Sequence, residues 1–227
     1  MSPSDRGVLY VVWGSGKDDV LDRSIASLRT HHPDLPVHVE RLGEGASLLD
    51  KARMADLSPF RETLYLDLDT VVLGNLDFGF QKAGEFGLAC CICECPWARR
   101  YGGLSGDTVE YNTGVLFFTE KAKDLFSAWR EAVRDLDSSI LFLMEDGKPA
   151  RMPLNDQAGF AKAVEDTAYS PFILPLNWNF RPRWHRSWFG PLKVWHDYAD
   201  VPESLIGHNE TQSADDAVVS FSVLNME

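Results

Sequence analysis

Cysteine is scarce and confined. The four cysteines of this 227-residue chain, Cys90, Cys91, Cys93 and Cys95, fall in one short segment. A secreted disulfide framework spreads its cysteines along the chain, and a structural zinc site needs separated ligand pairs. This grouping points to neither. It reads as a buried strand on which Cys91 and Cys93 fill one face as small apolar residues. Long apolar runs are missing as well: none approaches the ~20 residues of a membrane span. The start, MSPSDRGVLYVVWG, lacks the basic, apolar and small-residue order of a secretory signal. These absences lead us to expect a cytoplasmic protein with no membrane span. Positive charge is short too. Against 34 Asp and Glu stand 22 Lys and Arg, a formal net charge of −12. That argues against bulk nucleic-acid or anionic-lipid binding. An anionic small ligand stays open, held by a local basic site or a bound cation.

What is present is a regular alternation of strand and helix. Val8 to Trp13 is a continuous apolar run that ends in Gly14-Ser15-Gly16, a buried strand and then a turn. Val20, Leu21, Ile25 and Leu28 recur at helix spacing until Pro33 and Pro36. A second strand starts at Pro36, a helix is read from Leu48 to Leu57, and a third strand from Thr63 to Leu68 is apolar as a central parallel strand should be. Phe86 to Cys93 and Val115 to Phe118 are further strands. Ala122, Leu125, Phe126, Trp129 and Val133 share a helix face, and Asp156 to Val164 is a shorter helix. The pattern implies a single α/β, Rossmann-like domain over residues 1–208, its mostly parallel sheet flanked by helices. Residues 209–227 read as a loosely held tail.

The first loop resembles two phosphate-binding motifs and satisfies neither. A Walker loop ending at Lys17 needs Gly at 11 and Ser or Thr at 18, where Val11 and Asp18 stand; a dinucleotide fingerprint needs Gly at 19, where Asp19 stands. Position still counts for Trp13 and Gly14. They lie at the carboxyl end of the first strand, where open α/β sheets bind ligands.

The segment Thr63-Leu64-Tyr65-Leu66-Asp67-Leu68-Asp69-Thr70 is the most informative. In an extended strand Asp67 and Asp69 point one way and Leu64, Leu66 and Leu68 the other. Two carboxylates ~6–7 Å apart beside an apolar core need a positive partner. A divalent cation supplies one, Mg²⁺ or Mn²⁺ for oxygen ligands, with Mn²⁺ favoured if an imidazole joins them. Two enzyme classes use such a pair. Asp67-Leu68-Asp69-Thr70-Val71-Val72 matches the first motif of the haloacid-dehalogenase-type aspartyl-phosphate phosphatases, with Asp67 as nucleophile. Their second element would be Thr119, but the later Lys and acidic pair fall out of order: Glu145-Asp146 precede Lys148, and Asp215-Asp216 lie in the tail. The other class is the metal-dependent GT-A glycosyltransferases.

Further motifs favour the second class. Lys51-Ala52-Arg53 leads through Leu57, Pro59 and Arg61 into the carboxylate segment; Tyr111-Asn112-Thr113-Gly114-Val115 follows, then Asn155-Asp156-Gln157. In this order the chain resembles the glycogenin-like, family-eight retaining glycosyltransferases over roughly residues 7–200. The resemblance implies a UDP-sugar donor, retention of anomeric configuration and an acceptor that the sequence does not name. It implies that Asp67 and Asp69 hold the metal on the donor diphosphate. Lys51 and Arg53 would reach the phosphates or ribose, and Asn112, Thr113 and Gly114 would line the donor site. Asp156 would accept from sugar hydroxyls. Gln157 would lie beneath the reacting carbon and favour an oxocarbenium-like transition state electrostatically.

The chain departs from that family at the third metal ligand, where the His-Gly-Lys-Pro-Trp pattern is absent. Val194-Trp195-His196-Asp197-Tyr198 offers His196 as the imidazole ligand, with His208 as runner-up and Asp197 as a further ligand or supporting group. Leu176 to His196 carries Arg181, Arg183, Arg186 and Lys193, no acidic residue before Asp197, and Trp178, Trp184, Trp188 and Trp195. It suits diphosphate or acceptor binding, or else a tryptophan-packed loop. Pro96 to Glu110, with Arg99, Arg100, Gly102, Gly103 and Gly106, suits a lid. A non-catalytic nucleotide-sugar-binding domain is the remaining alternative.

Overall fold

The computed structural model describes residues 5–94, 104–144, 146–214 and 221–224. In chain order the elements are β1 (Arg6–Val12), α1 (Asp18–His31), β2 (Val37–Arg41), a 3₁₀ turn (Leu48–Arg53) running into α2 (Met54–Leu57), β3 (Glu62–Leu66), β4 (Thr70–Val72), α3 (Asp77–Phe86), β5 (Leu88–Ile92) and β6 (Tyr111–Thr119). There follow α4 (Lys123–Asp135), β7 (Ile140–Leu143), β8 (Pro149–Met152), α5 (Asp156–Thr167), β9 (Phe172–Ile173), β10 (Ser187–Phe189), β11 (Val194–His196), α6 (Glu203–Ala214) and β12 (Phe221–Val223).

Six strands form the central sheet in the order β2-β1-β3-β6-β5-β9. All run parallel except β6, which is antiparallel to both neighbours. The sheet is covered on both faces, which is why its inner strands such as β1 and β5 are apolar without alternation, while the edge strand β2 alternates Val37-His38-Val39-Glu40. On one face Val8, Tyr10 and Val12 pack with Leu21 and Leu28 of α1 and Phe80 of α3. On the other, Leu9 and Val11 pack with Phe126 and Trp129 of α4 and Phe160 of α5. The sequence reading passes over α3, whose two glycines lower its helical signal. Gly79 has a packing reason: a Cβ there would stand 2.5 Å from the Phe117 ring.

Two expectations change. Cys90 and Cys91 are the buried pair, one in each face's core, while Cys93 lies past the end of β5 and is half-buried. Cys95 lies outside the described residues. Burial pushes both buried thiols up, so they stay protonated and inert. Asn209, where the sequence places the start of a loose tail, is buried inside α6. Its carbonyl accepts from Leu192 N–H at 2.5 Å, and its amide donates to the Leu73 and Leu192 carbonyls, both at 2.9 Å. β12 then pairs with β10. No helix among the described residues is long and apolar enough to cross a membrane.

Candidate active site

The chain turns at the carboxyl end of β3. Strand alternation therefore does not bring Asp67 and Asp69 together, because β3 stops at Leu66. The Thr70 N–H closes the turn on the Asp67 carbonyl at 3.3 Å, and the Thr70 hydroxyl donates to the same oxygen at 2.8 Å. The Asp67 N–H donates to the Gly114 carbonyl at 2.8 Å. After the turn, β4 pairs antiparallel with β11, which sets His196 opposite Thr70. The result is a cluster: one ligand atom from each of Asp67, Asp69 and His196 lies within 4.8 Å of the others. His196 Nε2 is 3.4 Å from Asp69 Oδ1 and 3.7 Å from Asp67 Oδ2. Gly114 forms the floor. A Cβ there would collide with His196 Cε1 and stand 2.7 Å from Asp67 Oδ2. The hard-oxygen and imidazole donor set fits a divalent cation such as Mn²⁺ or Mg²⁺. Burial pushes the Asp69 carboxyl up, but its hydrogen-bond and charge interactions with His196 hold it below the ordinary range.

A buried lysine ties this cluster to the start of α5. Lys51 is 2 % exposed; its Nζ lies 2.9 Å from Asp67 Oδ1, 3.2 Å from Thr113 Oγ1 and 3.5 Å from Asp156 Oδ2. Thr113 donates to Asp156 Oδ2 at 2.5 Å. A buried charge survives only when paired, and two carboxylates pair this one. Burial opposes the ammonium form, yet Asp156 and Asp67 together raise the Lys51 pKa. Burial also raises the Asp156 carboxyl, against the pull of Lys51 and Thr113. The Tyr65 hydroxyl donates to Asp67 Oδ1 at 2.8 Å, its pKa raised by burial and then by the Asp67 charge. β6 bulges here: Cys90 faces Leu116 and Cys91 faces Asn112, so Thr113, Gly114 and Val115 face no residue of β5. Such a bulge re-aims side chains, and it turns Thr113 and Gly114 into the site.

No family model and no curated protein matches the sequence. Solved structures do match. Mouse xyloside xylosyltransferase 1, in its apo form, superposes with a TM-score of 0.57 at 13 % identity, over 88 % of this chain and 100 % of that one. The galactosyltransferase LgtC, in complex with donor and acceptor sugar analogs, gives 0.54 at 14 % identity over 92 % and 94 %. The glycosyltransferase GlyE of Streptococcus pneumoniae gives 0.57 at 14 % identity, over 87 % of this chain and 55 % of that one. The chain has the GT-A fold.

Within this GT-A sheet the candidate residues separate. Lys51, Asp67, Asp69, Thr113, Gly114, Asp156 and His196 converge. Asp156 is the first residue of α5, and Asn155 caps the helix, its side chain accepting from the Gln157 N–H at 3.1 Å. The Gln157 amide nitrogen donates to Cys93 Sγ at 3.6 Å. Arg53 is exposed and bonded to Asp50 at 3.1 Å. Trp13 is half-buried with Lys17 Nζ 5.1 Å over its ring, and Gly14 is exposed at φ 75°. Asn112 is buried at β6, its carbonyl accepting from Gly114 N–H at 2.9 Å and from Asn179 at 2.7 Å. His208 stands in α6 and pairs with Ser222 at 2.7 Å, apart from the carboxylates. Asp197 accepts from Ala199 N–H at 2.8 Å and lies 3.6 Å from Arg183.

The basic, tryptophan-rich segment serves mainly to pack the fold. Trp178 and Trp195 are buried and Trp188 half-buried; Trp184 alone of the four is exposed. Arg181 lies 3.2 Å from Glu94. Burial raises the Glu94 carboxyl, but His185 and Arg181 outweigh it and hold the pKa low. Of the lid segment, Arg99, Arg100, Gly102 and Gly103 lie outside the described residues. The sequence passed over Tyr65 and Asn179. Tyr65 was in plain view two residues before Asp67, whereas nothing in the pattern around Asn179 marks it.

Proposed function

We propose that this chain is a glycosyltransferase that takes a nucleoside-diphosphate sugar, UDP-linked by resemblance, and passes the sugar to an acceptor with retention. The observation that carries the reading is the meeting of Asp67, Asp69 and His196 at the ligand edge of a GT-A sheet, with Lys51 and Asp156 beside them. These three residues would hold Mn²⁺ or Mg²⁺, whose charge would offset that developing on the leaving diphosphate. Tyr65 and Lys51 orient Asp67, and the Lys51 ammonium partly neutralises it. Lys51 and Thr113 hold Asp156 fixed at the foot of α5. Cys93 takes an N–H of the Gln157 amide, which turns the carbonyl toward the other side. There its partial negative charge would favour an oxocarbenium-like carbon. The leaving diphosphate oxygen can take the acceptor's proton, so no separate protein base is required.

The phosphatase reading loses its second element. Because β6 runs backward, Thr119 pairs with Glu62 at the start of β3. That is five residues, about 16 Å of extended chain, from Asp67. Isothermal titration of UDP with and without Mn²⁺, followed by an assay of donor turnover, tests the proposal. Binding that needs the metal, with turnover that Asp69→Ala abolishes, is expected. Metal-dependent binding without hydrolysis or transfer would favour a non-catalytic module. Release of phosphate from simple esters without any nucleotide would overturn the reading.

A further inference from the structure

Asn112, Asn179 and His196 are joined by a chain of hydrogen bonds whose direction is fixed at one end. Gly114 N–H can only donate, so the Asn112 atom 2.9 Å from it is the carbonyl oxygen. That oxygen also faces an Asn179 atom at 2.7 Å, which must therefore be the amide nitrogen. The other end of the Asn179 amide is then its carbonyl oxygen, and it lies 2.8 Å from His196 Nδ1. An acceptor there requires the proton of a neutral imidazole to sit on Nδ1. In the neutral ring Nε2 then carries the lone pair, and it is Nε2 that faces Asp69 at 3.4 Å and Asp67 at 3.7 Å. In that neutral form the Nε2 lone pair faces the same space as the two carboxylates, which together make the nitrogen-and-oxygen donor set a divalent cation would take. Both amides are buried, Asn112 at 4 % and Asn179 at 2 % exposure. Little solvent is present to reorient them.

We propose that Asn112 and Asn179 are positioning residues for the metal centre, setting the tautomer and ring angle of His196, and that the Asn112 carbonyl is not a ligand of the donor sugar. Both lone pairs of that oxygen are already committed, one to Gly114 and one to Asn179. Donating the second ring nitrogen to a fixed acceptor is the usual way a metal-ligating histidine is oriented. Here the acceptor is held in turn by the backbone of Gly114, whose missing side chain also makes room for the imidazole and Asp67. One bulge in β6 thus sets both the floor of the site and the protonation pattern of its nitrogen ligand.

The inference rests on the metal-site reading, and the test keeps the two apart. Mn²⁺ affinity is measured without nucleotide, by calorimetry or by the electron paramagnetic resonance of the free ion. The wild-type chain is expected to bind, and Asp69→Ala to lose binding; no binding by the wild type would sink the site itself. Asn112→Ala and Asn179→Ala are then expected to weaken Mn²⁺ binding by about 10- to 100-fold. Asn112→Asp, which keeps the acceptor for Gly114 and Asn179, should stay within about threefold of wild type, because the chain of donors survives. A folded Asn112→Ala variant with unchanged Mn²⁺ affinity, losing instead its preference for UDP-sugar over UDP, would overturn the proposal. The ring itself gives a reading that needs no variant. In the metal-free wild type at a pH where His196 is neutral, long-range ¹H–¹⁵N correlation should show the proton on Nδ1. A proton on Nε2 would also overturn it.

Discussion

At the scale of single residues, Gly114 and Lys51 are constrained for two different reasons. Gly114 is limited by space. Its Cβ would displace His196 or Asp67, so Gly114→Ala should weaken metal binding by at least about tenfold and cost roughly 1–3 kcal/mol of stability from overpacking. Gly84, on α3 with nothing within 4 Å of a Cβ, is the control. Gly84→Ala should stabilise the chain by about 0.5–1 kcal/mol, since Ala loses less backbone entropy in a helix. Chemical denaturation of both variants checks the pair. Lys51 is limited by charge. Lys51→Met leaves Asp67 and Asp156 without their shared cation, and breaking a buried ion pair from one side costs about 3–5 kcal/mol. The loss should be greatest at neutral pH. Asp156 already has a raised pKa through burial, so the folded form binds its proton more tightly than the unfolded chain. Removing Lys51 raises that pKa further. Acidification then protonates the orphaned carboxyl and recovers stability relative to wild type. A gap between wild type and variant that stays constant from neutral to acidic pH would contradict this account.

At the scale of elements, three hydroxyls join β1 and α1 to the turn from Asp67 to Thr70. Tyr10 lies 3.0 Å from Ser24, Ser24 3.1 Å from Thr70, and Thr70 donates to the Asp67 carbonyl. With the last bond fixed in direction, the others must run the same way: Tyr10 to Ser24 to Thr70. Thr70→Val keeps the shape but strands the Ser24 proton and leaves the Asp67 carbonyl only its longer bond from the residue-70 backbone N–H. It should cost about 1–3 kcal/mol and more than Tyr10→Phe, which removes only the outer donor of the chain. Equal losses in thermal unfolding would show that the three do not act as a directed series. This level of organisation was only partly legible in the sequence. The leucines of β3 and the acids that follow it could be read because burial and charge alternate sharply there. The true reason Asp67 and Asp69 meet could not, since a turn and an extended pair share the same spacing over three residues. The reversal of β6 was hidden for a related reason: an apolar run carries no sign of direction. Asn179 was hidden because its role depends on a partner 67 residues away. The grip of α6 on Leu73 and Leu192 went unseen because one asparagine amide provides it.

At the scale of the whole molecule, the charge balance takes on a definite meaning. The basic segment from Leu176 to His196 is partly matched within the fold, with Arg181 beside Glu94 and Arg183 beside Asp197. On a chain of net charge −12, a divalent ion held by Asp67, Asp69 and His196 would, on the proposed function, add positive charge where an anionic donor would sit. Binding of that ion to the folded state alone must raise stability by mass action. At a concentration about 100 times its dissociation constant the gain is about 2.7 kcal/mol. For a domain of this size that corresponds to a rise in Tm of roughly 5–10 °C. The rise should track the logarithm of Mn²⁺ concentration, reverse on adding a chelator, and vanish in Asp69→Ala. Sodium chloride at matched ionic strength should reproduce little of it, because screening relieves diffuse repulsion without filling the site. If sodium chloride shifts Tm as far as Mn²⁺ does, the carboxylates are an ordinary part of a self-repelling surface and the metal centre is wrong. If only the divalent ion acts, and only through Asp69, the stabilisation comes from filling the Asp67–Asp69–His196 cluster and not from relief of repulsion across the acidic surface.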